Sequence, residues 1–421
     1  MWVWVRVVVL LVSAWRAAAT SASLVGINYG RVGSNLPGPA AVLPLLASVG
    51  VGRVRLYDAE PSVLRAFANT GVELVVGLPD RCVAAVADPD EALAWARANI
   101  QPYVPATKIA AITVGNEVLT TNPNPNPNPN STATAKSLLP AMESLHAALA
   151  SLGLDRAIAV TTAHSLAVLA SSYPPSSAVF RRDLLPYLCP LLGFHARTGS
   201  PFLVNAYPYF AYADDPSGVD LNYALLEPNP GVADPVSGLR YSTLLHAQVD
   251  AVYHAINAAA GDSAKTVEVR VSETGWPSAG DANETGATPQ NAAKYNGNVM
   301  RLVAEGKGTP LRPGVALRAY VFALFNENLK PGPTSERNYG LFKPDGTPVY
   351  PLGITVPPDN STTPGGGGGG NDGGGESSPG GSSSDGYYSI SSAPVEVNFE
   401  CLAPVLISRR TIYPCITALL D

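Results

Sequence analysis

The stretch Lys108–Val118, KIAAITVGNEV, decides how this chain is read. It begins as a β-rich run almost free of charge and ends in a glycine, an amide and a carboxylate. A run without alternating polar positions is what a strand covered by helices on its outer face looks like. Similar runs recur: LVGINYG from Leu24, VGRVRLYD from Val51, VELVVGLP from Val72, AIAVTTAHS from Ala157, FLVNAYPYF from Phe202, TVEVRVSETGWP from Thr266 and ALRAYVFALFNE from Ala316. With the opening stretch these make eight. The segments between them have helical spacing: PGPAAVLPLLASVG and EPSVLRAFANTG each stop at a glycine, and DPDEALAWARANI opens with acidic residues that favour a helix N-terminus. Eight βα repeats predict an α/β fold, a (β/α)8 TIM barrel over residues 24–356, with its active site at the strand C-termini. A doubly wound open sheet is the alternative. It is weakened because Gly30-Arg-Val-Gly33 after the first run lacks the spacing of a dinucleotide-binding loop.

Polar and aromatic residues converge at those C-terminal ends. They are Asn28-Tyr29, Tyr57-Asp58, Asn116-Glu117, His164, Asn205-Ala-Tyr207, Glu273-Thr-Gly-Trp276 and Asn326-Glu327. Aromatic faces stack on pyranose rings while amides and carboxylates bond hydroxyls, so the rim has the composition of a sugar cleft. A carboxylate at the end of an apolar strand is costly to bury unless it is paired or used. Glu117 and Glu273 both hold such positions, on the fourth and seventh strands, which are expected on opposite sides of the barrel. Glycoside hydrolysis needs this pair, an acid to protonate the leaving oxygen and a carboxylate at the anomeric carbon.

The motif VEVRVSETGWPSAG, from Val267, resembles the signature of the plant family 17 glycoside hydrolases, the endo-β-1,3-glucanases. GINYG, VGNEVL, VNAYPYF and FALFNENLKPGPTSERNYGLF recur in the same order, so the resemblance covers essentially all of residues 24–356. It implies a retaining hydrolase of internal β-1,3-glucosidic bonds in cell-wall glucan, with no cofactor and no metal. Glu273 would be the nucleophile and Glu117 the general acid/base. Asn116 would contact the sugar 2-hydroxyl, with Asn205 also on the substrate. Tyr29, Tyr207 and Trp276 would line the cleft, and Glu327, Lys330 and Glu336 would form an ancillary charged cluster.

Plainer readings stand beside these. Glu327 and Glu336 could form a solvated salt-bridge network with Lys330 and Arg337, and Trp276 could be core packing. Tyr57 and Asp58 read as structural, and His164 as a satisfied barrel-end histidine. The rival functions are hydrolysis of mixed-linkage β-1,3;1,4-glucan and glucan binding without turnover.

The two ends and the insertions fill out the organisation. The chain has 421 residues, 46% hydrophobic, enough for a large core, and its net charge of −6 gives no footprint for nucleic acid or anionic membranes. Residues 1–22 read as a cleaved secretory signal, with Arg6, an apolar run to Trp15 and small residues at Ala19 and Ala22. The sequons at Asn130, Asn283 and Asn360 fit export of a glycoprotein to the cell wall. Residues 357–386 are a Gly/Ser-rich linker too poor in apolar residues to fold. Residues 387–421 form a tail that imitates a GPI-anchor signal, although Arg409-Arg410 interrupt its apolar end. A membrane partner is therefore expected only if that anchor is made, and the chain is expected to be a monomer. Among four cysteines, Cys82 and Cys189 or Cys401 and Cys415 could be bridged, or the first two could be small buried hydrophobes. The Asn-Pro run NPNPNPNPN reads as a semi-stiff surface insertion after the fourth strand, close enough to Glu117 to border the cleft.

Overall fold

The computed structural model describes residues 24–120 and 129–351. The expectations for the leader, most of the Asn-Pro run, the linker, the tail, Asn360, Cys401 and Cys415 lie outside the described residues.

All eight runs form strands of one closed parallel barrel: β1 Val25–Asn28, β2 Arg53–Arg55, β3 Glu73–Leu78, β4 Lys108–Asn116, β5 Ala159–Ser165, β6 Phe202–Asn205, β7 Val269–Thr274 and β8 Ala319–Val321. Each pairs with the next in sequence, and β8 closes on β1 through Val25↔Ala319 and Ile27↔Val321. Helices pack outside: Pro61–Ala66, Asp80–Val86, Pro89–Asn99, Pro129–Ser151, Leu185–Thr198, Leu244–Ala260 and Pro289–Ala304 among them. Their starts are chemically marked. Asp88 accepts from the Asp90 and Glu91 amides, and Thr243 and Thr288 cap Leu244–Ala260 and Pro289–Ala304 by accepting from the His246 and Asn291 amides. No helix among the described residues is long and apolar enough to cross a membrane.

The apolar residues divide into two layers. The large core lies between the barrel's outer face and the helices, with Ile27, Val54, Leu74, Ile112, Val160 and Val204 pointing into it. A smaller layer of Val75, Ala111, Tyr320 and Ala159 fills the barrel interior. Below it, at the strand N-termini, Arg53 and Lys108 pair with Glu73 at 3.3 Å each. Above it lies the site. On the inward side of β2, alternation carries Arg53 at the bottom, Arg55 in the middle and Tyr57 at the top.

Cys189 carries a free thiol, so the Cys82–Cys189 bridge considered from the sequence does not form. The expected placement of β4 and β7 on opposite sides also needs adjustment. They are separated by only β5 and β6, so the two glutamates meet across an arc that β6 fills from behind.

Candidate active site

Both glutamates follow a break in sheet register. Against β5, β4 slips between Thr113 and Asn116, and β7 slips against β6 between Val271 and Glu273. Such irregularities turn the next side chain away from regular alternation. In β4 the break contains Gly115 at φ 66° and leads directly to Glu117 at φ 56°. A side chain at Gly115 would bring its Cβ to 2.4 Å from Val118 Cγ2, so the turn requires glycine. A glutamate held in the left-handed region costs about 1–3 kcal/mol and persists only where its surroundings fix it. Here the Glu117 amide donates to the Ala163 carbonyl at 2.8 Å, the Thr120 amide to the Glu117 carbonyl at 2.8 Å, and the Asn116 amide to Asp80 Oδ1 at 2.8 Å.

Glu273 is 1% exposed and accepts from three donors: Arg55 Nη1 at 2.6 Å and the Tyr57 hydroxyl at 2.8 Å on Oε1, and the Tyr207 hydroxyl at 2.9 Å on Oε2. A carboxylate so buried would be prohibitive without such compensation. Burial, and then the Glu273 charge, push the Tyr57 and Tyr207 phenols well above their ordinary range, so both remain proton donors to that carboxylate. Burial works against the Arg55 charge, but Tyr57 and Glu273 more than offset it and its pKa lies above the ordinary value.

The second guanidinium nitrogen of Arg55 donates to Asn116 Oδ1 at 2.8 Å. Asn205 Nδ2 donates to Glu117 Oε1 at 2.8 Å and lies 3.3 Å from Asn116 Oδ1, while its own Oδ1 accepts from the Ser272 hydroxyl at 2.6 Å. One continuous network therefore runs from Glu117 through Asn205, Asn116 and Arg55 to Glu273. Because Asn116 Oδ1 is taken by these two donors, its Nδ2 amide is the face left to meet a ligand. A cleft of about 1400 Å³ opens from Glu117, Asn205 and Tyr207 towards Tyr173 and Tyr223. Its far wall consists of two short antiparallel ribbons, Leu169–Ser171 with Val179–Phe180 and Val232–Ala233 with Arg240–Tyr241. Asp234 ties them by accepting from the Ser176 amide and hydroxyl at 2.8 and 2.7 Å.

The expected residues fall into three groups. Glu117, Glu273, Asn116, Asn205 and Tyr207 come together in the network. Glu327, Lys330 and Glu336 form a neighbouring cluster that is buried rather than solvated. Lys330 Nζ lies 3.0 Å from Glu336 and 4.1 Å from the centre of the Phe322 ring, and Phe322 in turn meets Tyr207 edge-on. Glu327 Oε1 accepts from the Val32 amide at 2.6 Å, and its carboxylate packs against Gly30, where an added Cβ would lie 2.5 Å from Oε2. Burial raises the Glu327 pKa, against the pull of Lys330. Arg337 does not join a glutamate network; it donates to the Lys330 and Gly332 carbonyls.

Trp276 and Tyr29 stand apart. The Trp276 indole has no exposed surface, packs on Tyr209, Tyr212 and Tyr295, and donates to the Gly286 carbonyl at 2.8 Å. The expected cleft-lining role is corrected to core packing behind the β7 loop. Tyr29 is buried against the edge of Phe325.

Two further readings change. Tyr57, read as structural, is a direct donor to Glu273, whereas its neighbour Asp58 pairs with Arg31 at 2.5 Å. His164 is not satisfied. It stacks on Phe202 at 4.6 Å, and both ring nitrogens lack a hydrogen-bond partner among the described residues. Arg55 was missed altogether. Its signal was present in VGRVRLYD, where charges alternate along an otherwise apolar barrel strand and so must point inside.

Residues 25–354 match the family model described as glycosyl hydrolases family 17. Glucan endo-1,3-beta-glucosidase 10 of Arabidopsis thaliana is 56% identical over 79% of this chain and 76% of its own length. Glucan endo-1,3-beta-glucosidase 11 of the same plant is 52% identical over 80% and 77%. Among solved structures, CJP38, a beta-1,3-glucanase and allergen of Cryptomeria japonica pollen, superposes with a TM-score of 0.72 at 40% identity, covering 78% of this chain and 98% of that one. The chain belongs to glycosyl hydrolase family 17.

Proposed function

We propose that this protein hydrolyses internal β-1,3-glucosidic bonds of β-1,3-glucan with retention of anomeric configuration. The observation that carries the reading is the unbroken hydrogen-bond network joining two buried strand-end glutamates at the head of a long cleft. In the first step Glu273 attacks the anomeric carbon while Glu117 gives its proton to the departing glycosidic oxygen. The resulting glycosyl ester on Glu273 is then cut by water, and Glu117 takes the water's proton. Arg55, Tyr57 and Tyr207 fix both carboxylate oxygens of the nucleophile. Asn205 orients Glu117, and the Asn116 amide is offered to the sugar hydroxyl beside the reacting carbon. The names of the relatives favour β-1,3-glucan over mixed-linkage glucan. The leader-like residues 1–22 support secretion to the cell wall, with membrane attachment only if the tail directs an anchor.

The test is reducing-sugar release from laminarin beside mixed-linkage glucan, with the first-formed anomer followed by NMR. Release from laminarin as the β-anomer is expected. Preference for the mixed-linkage polymer overturns the substrate, and an α-product overturns the mechanism. Glu117→Gln is expected to lower kcat about 10²–10⁴-fold, the range for removal of a general acid.

A further inference from the structure

We propose that Asn283 carries an N-linked glycan on the loop that follows the nucleophile strand. The proposal rests on the secretory reading above, because the oligosaccharide donor is met only on that route. Asn283-Glu284-Thr285 is an acceptor triplet without proline, and both Asn283 and Thr285 are exposed on consecutive turns. No hydrogen bond among the described residues engages the Asn283 side chain, so its amide stands in solvent.

What surrounds it is the opposite of a loose loop. The middle residue of the triplet, Glu284, turns inward. It accepts from the Asp281 amide at 2.7 Å and the Ser335 amide at 3.1 Å, and it also receives the Ser335 hydroxyl. Asp281 accepts from the Thr334 amide at 3.0 Å and from its hydroxyl. The β7 loop is thereby clamped to the segment Thr334–Arg337, which carries Glu336, the partner of Lys330. Behind it, Gly286 offers its carbonyl to the Trp276 indole and to Asn291 Nδ2. Alternate residues of the triplet have opposite tasks: Glu284 holds two loops of the rim together, while Asn283 and Thr285 face outward for modification.

The chemistry is the attachment of a lipid-linked oligosaccharide. Asn283 Nδ2 loses a proton and bonds the anomeric carbon of the first N-acetylglucosamine. The bond from that carbon to the lipid pyrophosphate breaks, and the lipid pyrophosphate leaves. Because Glu284 turns inward to Ser335 while Asn283 faces solvent, the glycan adds bulk to the rim without altering the catalytic network.

The experiment is to secrete the full chain from plant cells and map its peptides before and after peptide N-glycosidase in ¹⁸O water. The Asn283 peptide is expected only after deglycosylation, with Asn283 converted to ¹⁸O-labelled Asp. Recovery of that peptide unmodified from secreted protein overturns the proposal. A parallel chain with residues 1–22 replaced by a proven secretion leader separates the two readings. If only the native chain stays inside the cell, the secretory reading fails while the replaced chain still decides Asn283. Thr285→Val, which keeps Asn283, is expected to lose the glycan and keep the wild-type kcat on laminari-oligosaccharides. A large fall in kcat would overturn the separation of glycan from catalysis.

Discussion

At the scale of single residues, Arg55 is the group on which the two carboxylates depend together. It is a positioning residue, since its two nitrogens reach Glu273 at 2.6 Å and Asn116 at 2.8 Å rather than the reacting atoms. A lysine carries one ammonium in place of a planar fork and cannot span both acceptors. Arg55→Lys is therefore expected to fold but to lose about 10–100-fold in kcat, equivalent to about 1.4–2.7 kcal/mol of transition-state stabilisation, with KM little changed. Arg55→Met leaves Glu273 buried without its cation and is expected to destabilise the fold by about 3–5 kcal/mol, read from denaturant melts. Wild-type kcat in folded Arg55→Lys would show that the arginine only fills space. This residue also marks the limit of what could be read from sequence. The strand-end placement of Glu117 and Glu273 was legible because each carboxylate closes a β-rich run. Arg55 and Tyr57 were obscured because β2 carries two arginines, and only closure of the barrel distinguishes the one at the bottom from the one beside Glu273. Trp276 misled for a related reason: aromatic identity gives no information about which side of a loop the ring packs on.

At the scale of elements, the strand ends matter more than the strands. All eight strands were legible because each is a β-rich run bounded by turn residues, but the register breaks in β4 and β7 are set by neighbours and leave no mark beyond Gly115. The β4 break is pinned from the first residue of the helix Asp80–Val86, which follows β3, where Asp80 accepts the Asn116 amide. That contact reaches Glu117 through the backbone, one residue before Glu117 takes its left-handed conformation. Asp80→Ala removes the acceptor and is expected to lower kcat about 10-fold while KM for laminarin holds. Asp80→Asn retains a carbonyl oxygen at the same place and is expected to recover most of the rate. Comparing kcat and KM for the two variants checks this. Equal loss in both would mean that the side chain supports the helix and not the turn. Gly115→Ala tests the same turn from the other side. Both the positive φ and the contact with Val118 oppose it, and it is expected to cost about 1–3 kcal/mol of stability.

At the scale of the whole molecule, buried titratable groups set how the barrel responds to acid. Burial, with a smaller contribution from His195, lowers His164 to about 3; burial also lowers His195 to about 4 and His246 to about 4. Each binds protons more readily in the unfolded chain. Their contribution to stability is therefore complete above the unfolded value near pH 6.5 and is lost progressively as pH falls towards the folded values. Asp80 and Asp250 act in the other direction. Burial raises both to about 6, so the folded chain holds their protons more tightly and they favour the fold as pH drops from 6 towards 4. Each of these histidines therefore takes stability away as the pH falls below 6.5, while each raised carboxyl returns some of it. His164 allows the cleanest test, because it stacks on Phe202 and makes no hydrogen bond among the described residues that a substitution would break. His164→Phe keeps an aromatic ring in the stack and removes the proton acceptor. It is expected to melt close to wild type at pH 7 and to gain about 2 kcal/mol over wild type at pH 5, from about 1.4 kcal/mol for each pH unit below 6.5. Thermal melts of both proteins at the two pH values measure it. Parallel loss of stability in wild type and variant would mean that the acid limb belongs to the carboxylates, and that His164 is held in the barrel only by its shape.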